Sequence, residues 1–476
     1  MRTRTLALVA LVIIVLAGAG IATSVYVADD RAPPGPDDPT RVEPPEGLEL
    51  PAARRVTPVL GSAFGPVVDT GAVRQRLAGL LADPDLGKHV GVAVRDLDRD
   101  RDVLAIGGGD TYTPASTLKL FTSAAALATL GADHRFETTV VLDRQGAGPP
   151  RAVLVGGGDP LLARTQQDLD SAYAPDVSTV ASVDRLAATT ARALRDAGVD
   201  RVRVGWDASL FSGPALALQW EPTYLPDEVV SPISALWVDE GRLGYGFSER
   251  SPDPAAAAAQ ELAEGLARQG LSVAGQPARA TAGDAPVVAS AQSAPLDEIV
   301  EHVLEVSDNE GAEVLLRHIG LATGRAGSFV GGTTGMRATL TGLGVPWRDV
   351  VTYDGSGLSR DNAVTLAAEM AVLSLGADPD HPELRTVVSG LPAARFNGSL
   401  AYRFIGTGTE AARGVVRAKT GTLTGVHGLT GSVVTRDGSL LGFALLTDQV
   451  RPIHTLDARA ILDRLAAALA GCGCGR

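Results

Sequence analysis

The chain has 476 residues, too many for one ordinary core and enough for two folded units with appendages. Hydrophobic residues at 45% and charged residues at 20% exclude wholesale disorder, and 55 glycines without a three-residue period exclude a collagen-like fibre. A formal charge of -13 with no clustered basic face argues against a nucleic-acid partner, because neutralising phosphates needs such a face.

Met1-Arg2-Thr3-Arg4 precedes an uncharged run from Thr5 to Ala28, which reads as an export signal and places the working protein outside the cytoplasm. Residues 1–28 are thus a signal peptide or a membrane anchor. The run is long enough to span a bilayer, while small residues around Gly20-Ile21-Ala22 suit a signal peptidase, so membrane-anchored and secreted forms both stand. Residues 29–65, with Ala32-Pro33-Pro34-Gly35-Pro36 and Glu43-Pro44-Pro45-Glu46-Gly47, favour extended polyproline-like backbone and form a spacer.

Apolar periodicity then predicts a helix over 73–81, strands over 89–94 and 103–106, and a buried helix starting near Ser116 and running through Leu118, Phe121, Ala125 and Leu127. From 136 to 292 the texture changes to a turn-rich region at 155–160, a helix over 183–197, a strand over 202–206 and a helix over 255–269. The Gly156–Gly158 run is followed by Asp159-Pro160 instead of a lysine and a helix, so it is a turn and not a phosphate loop. A helix over 296–304 breaks at 307–309 and resumes at Ala312. Strands over 414–418, 428–435 and 440–446 and a helix over 454–469 close the chain. Strands from both ends can share one sheet, which makes 66–135 and 293–476 one domain and 136–292 an insertion. Cys472 and Cys474, the only cysteines, lie in the last five residues; the tail reads as frayed, with a bridge or a metal pair as the alternatives.

The chemistry is signalled by scarcity. Of 42 basic residues only Lys88, Lys119 and Lys419 are lysine, and lysine, unlike arginine, can lose its proton when desolvated. In Ser116-Thr117-Leu118-Lys119 the three-residue spacing puts a hydroxyl and an amine on one helix face, where a neutral amine can take the serine proton. Ser307-Asp308-Asn309 offers a hydroxyl for proton relay and an amide to hold a peptide. Lys419-Thr420-Gly421-Thr422, at the end of the strand over 414–418, offers a cation and two hydroxyls for a carboxylate, and a glycine that lets a ligand backbone lie close. Each pattern alone is equally a cap or a turn; together in this order they are the combination used by β-lactamases and penicillin-binding proteins. None of the seven histidines has zinc-ligand spacing, so no metal or other cofactor is expected.

With these motifs the chain resembles the class C penicillin-binding proteins, D-alanyl-D-alanine carboxypeptidases and endopeptidases that trim peptidoglycan. The resemblance runs from about Val73 to Leu469 and adds Gly157-Gly158-Asp159-Pro160, Ala312-Glu313 and Asp354-Gly355-Ser356-Gly357-Leu358-Ser359-Arg360. It implies a mixed α/β (α+β) fold: a β-lactamase/transpeptidase-like domain with an antiparallel central sheet, flanking helices and an inserted second domain. The interval 136–292 is short for the two extra domains of many relatives, so one insert is expected. The resemblance also implies roles. Ser116 attacks the penultimate D-alanine of a stem peptide, Lys119 is its base, neutralised by burial and by Lys419, and Ser307 protonates the leaving D-alanine. Asn309 holds the peptide, Lys419, Thr420, Gly421 and Thr422 bind the terminal carboxylate, and Arg360 is a further candidate for a substrate carboxylate. β-Lactams would arrest the enzyme as acyl adducts. A β-lactamase, or a non-catalytic β-lactam sensor or wall-binding module, are the alternatives.

Overall fold

In the computed structural model, which describes residues 65–475 apart from 167–176, 178–179 and 245–247, the two ends of the chain meet in one sheet. The targeting segment expected at 1–28 and nearly all of the spacer lie outside the described residues. Among those described, no helix is long and apolar enough to cross a membrane.

Helix α1 (Thr70–Leu81) starts where the Asp69 carboxylate accepts the Ala72 N–H, and it buries Val73 and Leu77. Strands β1 (Val90–Asp96) and β2 (Arg101–Ile106) form a hairpin, followed by the short β3 (Thr111–Tyr112) and helix α2 (Lys119–Leu130). Near the other end, β11 (Val416–Leu423), β12 (Val426–Val434) and β13 (Leu440–Thr447) join β1 in the antiparallel order β11-β12-β13-β1-β2, with Val94 opposite Phe443. Period-two alternation then sorts the side chains between the two faces. Val92, Val94, Phe443 and Leu445 pack with α1 and the last helix, Thr455–Ala470, whereas Ala93, Ala444 and Leu446 join the core around α2. Both faces are covered, which is why these strands read as nearly unbroken apolar runs.

Between β3 and β10 (Val364–Thr365) lies a second sheet of β4 (Glu137–Asp143), β5 (Arg151–Val155), β6 (Arg201–Asp207), β7 (Ser272–Val273), β8 (Ala278–Arg279) and β9 (Val287–Gln292). Glu137 pairs with Gln292, so this excursion leaves and returns at neighbouring points. It has its own core of Val140, Leu154, Leu186 and Leu262. Trp220, Tyr224, Val230 and Trp237, from the same interval, instead pack into the core around α2.

Two local expectations are corrected. Strand β11 does not stop at Ala418 but continues through Leu423, because Lys419 pairs with Thr430 and Thr422 with His427 of β12. The tail is not frayed either. Cys472 and Cys474 are bridged to each other and buried beside Val68, and the Asp69 N–H donates to the Cys474 carbonyl. Cysteine behaves there as a small apolar side chain.

Candidate active site

A short 3-10 turn over Ala115–Leu118 feeds α2, so Ser116 and Lys119 fall on one side. The Lys119 amine lies 3.0 Å from the Ser116 hydroxyl and also donates to the Asn309 Oδ1 and the Ser356 carbonyl, both at 2.8 Å. Burial lowers this amine to about 8, opposed by the charges of Asp308, Glu313, Asp354 and Glu310. Lys419 is held well below its ordinary value, by burial first and by the Lys119 charge second. Burial is the first cause at both amines, and the repulsion between their two charges acts on each of them.

The turn is tightly braced. Ala115 has φ +48°, a costly conformation for a residue with a side chain, and a β-carbon on Gly357 (φ +85°) would collide with the Ala115 carbonyl. Thr117 lies 2.6 Å from the buried Glu369 carboxyl, which burial raises to about 7. The 354–359 loop closes the other side. Glu313 accepts the Gly355 and Ser356 N–H groups, and Asp354 accepts from Gly357, Ser359, Asn362 and the Trp220 indole. These bonds aim the Ser356 carbonyl at Lys119.

The predicted break at 307–309 is a junction of two helices, α5 (Leu296–Glu305) and α6 (Asn309–Ala322), numbered after α3 (Val183–Asp196) and α4 (Pro254–Arg268) of the excursion. Asp308 caps α6 by accepting the Gly311 N–H at 3.0 Å, so the helix resumes at Asn309 rather than Ala312. Ser307 takes φ +65° to make the junction. The Asn309 amide is held at both ends, by Lys119 and by the Val229 carbonyl at 3.2 Å. Its geometry fits positioning of Lys119 as well as contact with a substrate.

On β11 the Val416 carbonyl and the Ala418 N–H bond outward to 392–394, away from β12. By strand parity the backbone of Thr420 and Thr422 faces the same open edge. The Lys419 amine donates to the Thr420 carbonyl at 3.2 Å, and the Thr420 hydroxyl lies 3.4 Å from that of Ser399. Gly421 carries a constraint beyond the one expected. A β-carbon there would come within 2.6 Å of the Pro114 carbonyl, so glycine lets the strand lie against the nucleophile turn.

A cleft of about 350 Å³ is lined by Ser116, Ser307, Asn309, Arg360, Thr420 and Thr422. Lys119, Lys419 and Gly421 lie beneath its surface rather than on it. Arg360 already has partners, Glu221 at 2.6 Å and the Thr424 carbonyl at 3.0 Å. Sequence reasoning missed Glu221, Tyr224 and Val229, which the excursion contributes to the cleft, and it gave no role to Glu313, Asp354 or Ser356. Only the last three left a signal, the Ala312-Glu313 and Asp354-Gly355-Ser356-Gly357 segments. Buried ligand-type atoms of Glu240, His302 and Asp308 also lie within 4.8 Å of one another, a grouping that histidine spacing could not show; the Arg242 guanidinium is paired with Glu240 there.

Residues 73–246 and 243–469 match the D-Ala-D-Ala carboxypeptidase 3 (S13) family. The chain belongs to that family. Among curated members it is 36% identical over 475 residues to "Carboxypeptidase DacB" of Mycolicibacterium smegmatis, covering 98% of this chain and 96% of the relative. It is 31% identical to the D-alanyl-D-alanine carboxypeptidase of an Actinomadura species, covering 86% and 87%. The fold matches the crystal structure of penicillin-binding protein 4 from Haemophilus influenzae with a TM-score of 0.65 at 20% identity, over 85% of this chain and 98% of that one. Membership in the S13 family makes the chain a D-Ala-D-Ala carboxypeptidase-type hydrolase, on the fold of penicillin-binding protein 4.

Proposed function

We propose that the chain is a serine-type D-Ala-D-Ala carboxypeptidase/endopeptidase that cleaves peptidoglycan stem peptides through an acyl-enzyme on Ser116. One observation carries the reading: a buried amine, lowered to about 8, lies 3.0 Å from a serine hydroxyl that opens into a cleft. In the first step the Ser116 Oγ proton passes to the neutral Lys119 amine while Oγ bonds to the carbonyl carbon of the penultimate D-alanine. The N–H groups of Ser116 and Thr422 receive the developing oxyanion; the outward parity of Thr422 supports its part. As the C–N bond breaks, the Ser307 hydroxyl supplies the proton to the leaving D-alanine and the Lys119 ammonium replaces it, which returns Lys119 to the neutral amine. Water then cleaves the ester and restores Ser116. Thr420, Thr422 and Lys419, whose amine is held charged once the carboxylate arrives, serve the terminal carboxylate, and Asn309 fixes Lys119 while bordering the peptide.

A β-lactam offers the same carbonyl in a ring whose amine cannot depart, so penicillin should acylate Ser116 and leave slowly. We read residues 136–292 as an inserted domain that also supplies one wall of the cleft. The charged, then apolar, N-terminus supports an extracytoplasmic site of action, either anchored or secreted. Pulse labelling with a fluorescent penicillin tests the function. Slow loss of the label is expected; loss within seconds would mean a β-lactamase, and absence of labelling a binding module.

A further inference from the structure

The segment 392–417 lies beside the outer edge of β11, tied there by the Ala394 N–H to the Val416 carbonyl and by the Gly414 N–H to the Ala394 carbonyl. It is firmly anchored. Leu400 and Phe404 are buried, and Asp463 takes the Arg403 guanidinium and the Phe404 N–H. This anchored frame leaves large apolar side chains in solvent: Tyr402 is 87% exposed, Phe396 81%, Ile405 66% and Val415 41%. Folding gains nothing from such exposure, and three large apolar side chains held out from one anchored stretch, 396–405, suit a binding surface.

The charge around the cluster is also distinctive. In a chain of formal charge -13, the segment holds four arginines and one carboxylate, Glu410, with Glu305 of α5 packed against Gly398, and Arg403 is consumed by Asp463. Arg395, Arg413 and Arg417 donate only to carbonyl oxygens of Ala401, Phe404, Ser389 and Leu391, and among the described residues none of the three pairs with a carboxylate. Glu410 accepts the Gly408 N–H. We infer that the Phe396–Tyr402–Ile405 face, with Arg395 and Arg413, is a docking surface for an anionic lipid membrane.

Charge complementarity selects an anionic partner, and the aliphatic tips select lipid over glycan. Ile405 and Val415 gain from the acyl boundary of a bilayer but little from a hydrated sugar, whereas aromatic rings and snorkelling arginines suit the headgroup layer. Since Ser399 of this segment touches Thr420, the seated face would border the cleft and fix its orientation toward the surface.

The test uses the full chain as Tyr402→Cys, labelled with an environment-sensitive dye; the two native cysteines are bridged to each other and buried. Vesicles of phosphatidylcholine alone and vesicles also containing phosphatidylglycerol are compared, and the arginine variant below, which keeps the same Arg2 and Arg4, controls for any anionic preference of the N-terminus. The dye emission should shift to the blue only with the anionic vesicles, and high salt should reverse it. Adding Arg395→Gln and Arg413→Gln should weaken that shift by about tenfold or more, while hydrolysis of a soluble peptide stays unchanged and so reports intact folding. No shift on either vesicle, an equal shift on both, or a shift only with isolated glycan strands would overturn the inference.

Discussion

Lys119 and Lys419 are both fully buried, yet their surroundings differ. Around Lys119 stand Asp308, Asp354, Glu313 and Glu310; Asp308 opposes the desolvation most, while burial raises Glu310 and pushes Glu313 itself up to about 8, and the amine is left at about 8. Around Lys419 burial and the Lys119 charge act in the same direction, and the amine falls well below its ordinary range. Burial alone thus does not make a general base, which must both accept a proton and give it back. The carboxylates near Lys119 supply that balance. Lys419 lacks it until a ligand brings a carboxylate.

The contrast breaks most severely at Lys119. Lys119→Arg keeps a cation but removes the acceptor, and penicillin acylation should fall by about a thousandfold or more, measured by stopped-flow labelling. Near-normal labelling of this variant would remove Lys119 from the base role. The carboxylate side is tested by an amidated D-Ala-D-Ala peptide, which forfeits a charge-assisted bond and should react about 10- to 100-fold more slowly than the acid. Thr422→Val should bring the two substrates closer together, since both changes remove one interaction. Equal hydrolysis of acid and amide by the unaltered enzyme would instead favour recognition of internal cross-links.

Smaller effects sharpen the same comparison. Asp308→Asn preserves a helix-capping side chain but removes the first of the charges that raise Lys119. The Lys119 amine should then lose its proton at lower pH, and acylation at mildly acid pH should rise severalfold while the plateau hardly changes. An unshifted profile would show that the carboxylates do not poise the amine. For Lys419, binding of a carboxylate-bearing inhibitor near neutral pH should draw in a fraction of a proton. That uptake appears as a calorimetric heat that depends on the buffer, and a buffer-independent heat would count against it.

Much of this was legible in the sequence, for identifiable reasons. Ser116 and Lys119 form a local pair, fixed by helical spacing, and a chain that otherwise writes arginine made its lysines conspicuous. The shared sheet was readable because both faces of its strands are buried, which leaves plain apolar runs. Long-range pairings left no such trace. Nothing local in the sequence joins Asn309 to Val229, 80 positions away, or Arg360 to Glu221, 139 away. The constraint that the Pro114 carbonyl places on Gly421 was not readable because it lies on another element. The Cys472–Cys474 tail was misread because burial of a chain end depends on where the last helix delivers it.

The central claim is that a neutral Lys119 activates Ser116. It is tested most directly by the rate of acylation by penicillin under single-turnover conditions as a function of pH. Because the proton must leave Lys119 before the amine can accept one from Ser116, the rate should climb about tenfold per pH unit below the Lys119 value and level off above about 8. A rate that is flat across this range, or that falls as pH rises toward 8, would contradict the assignment.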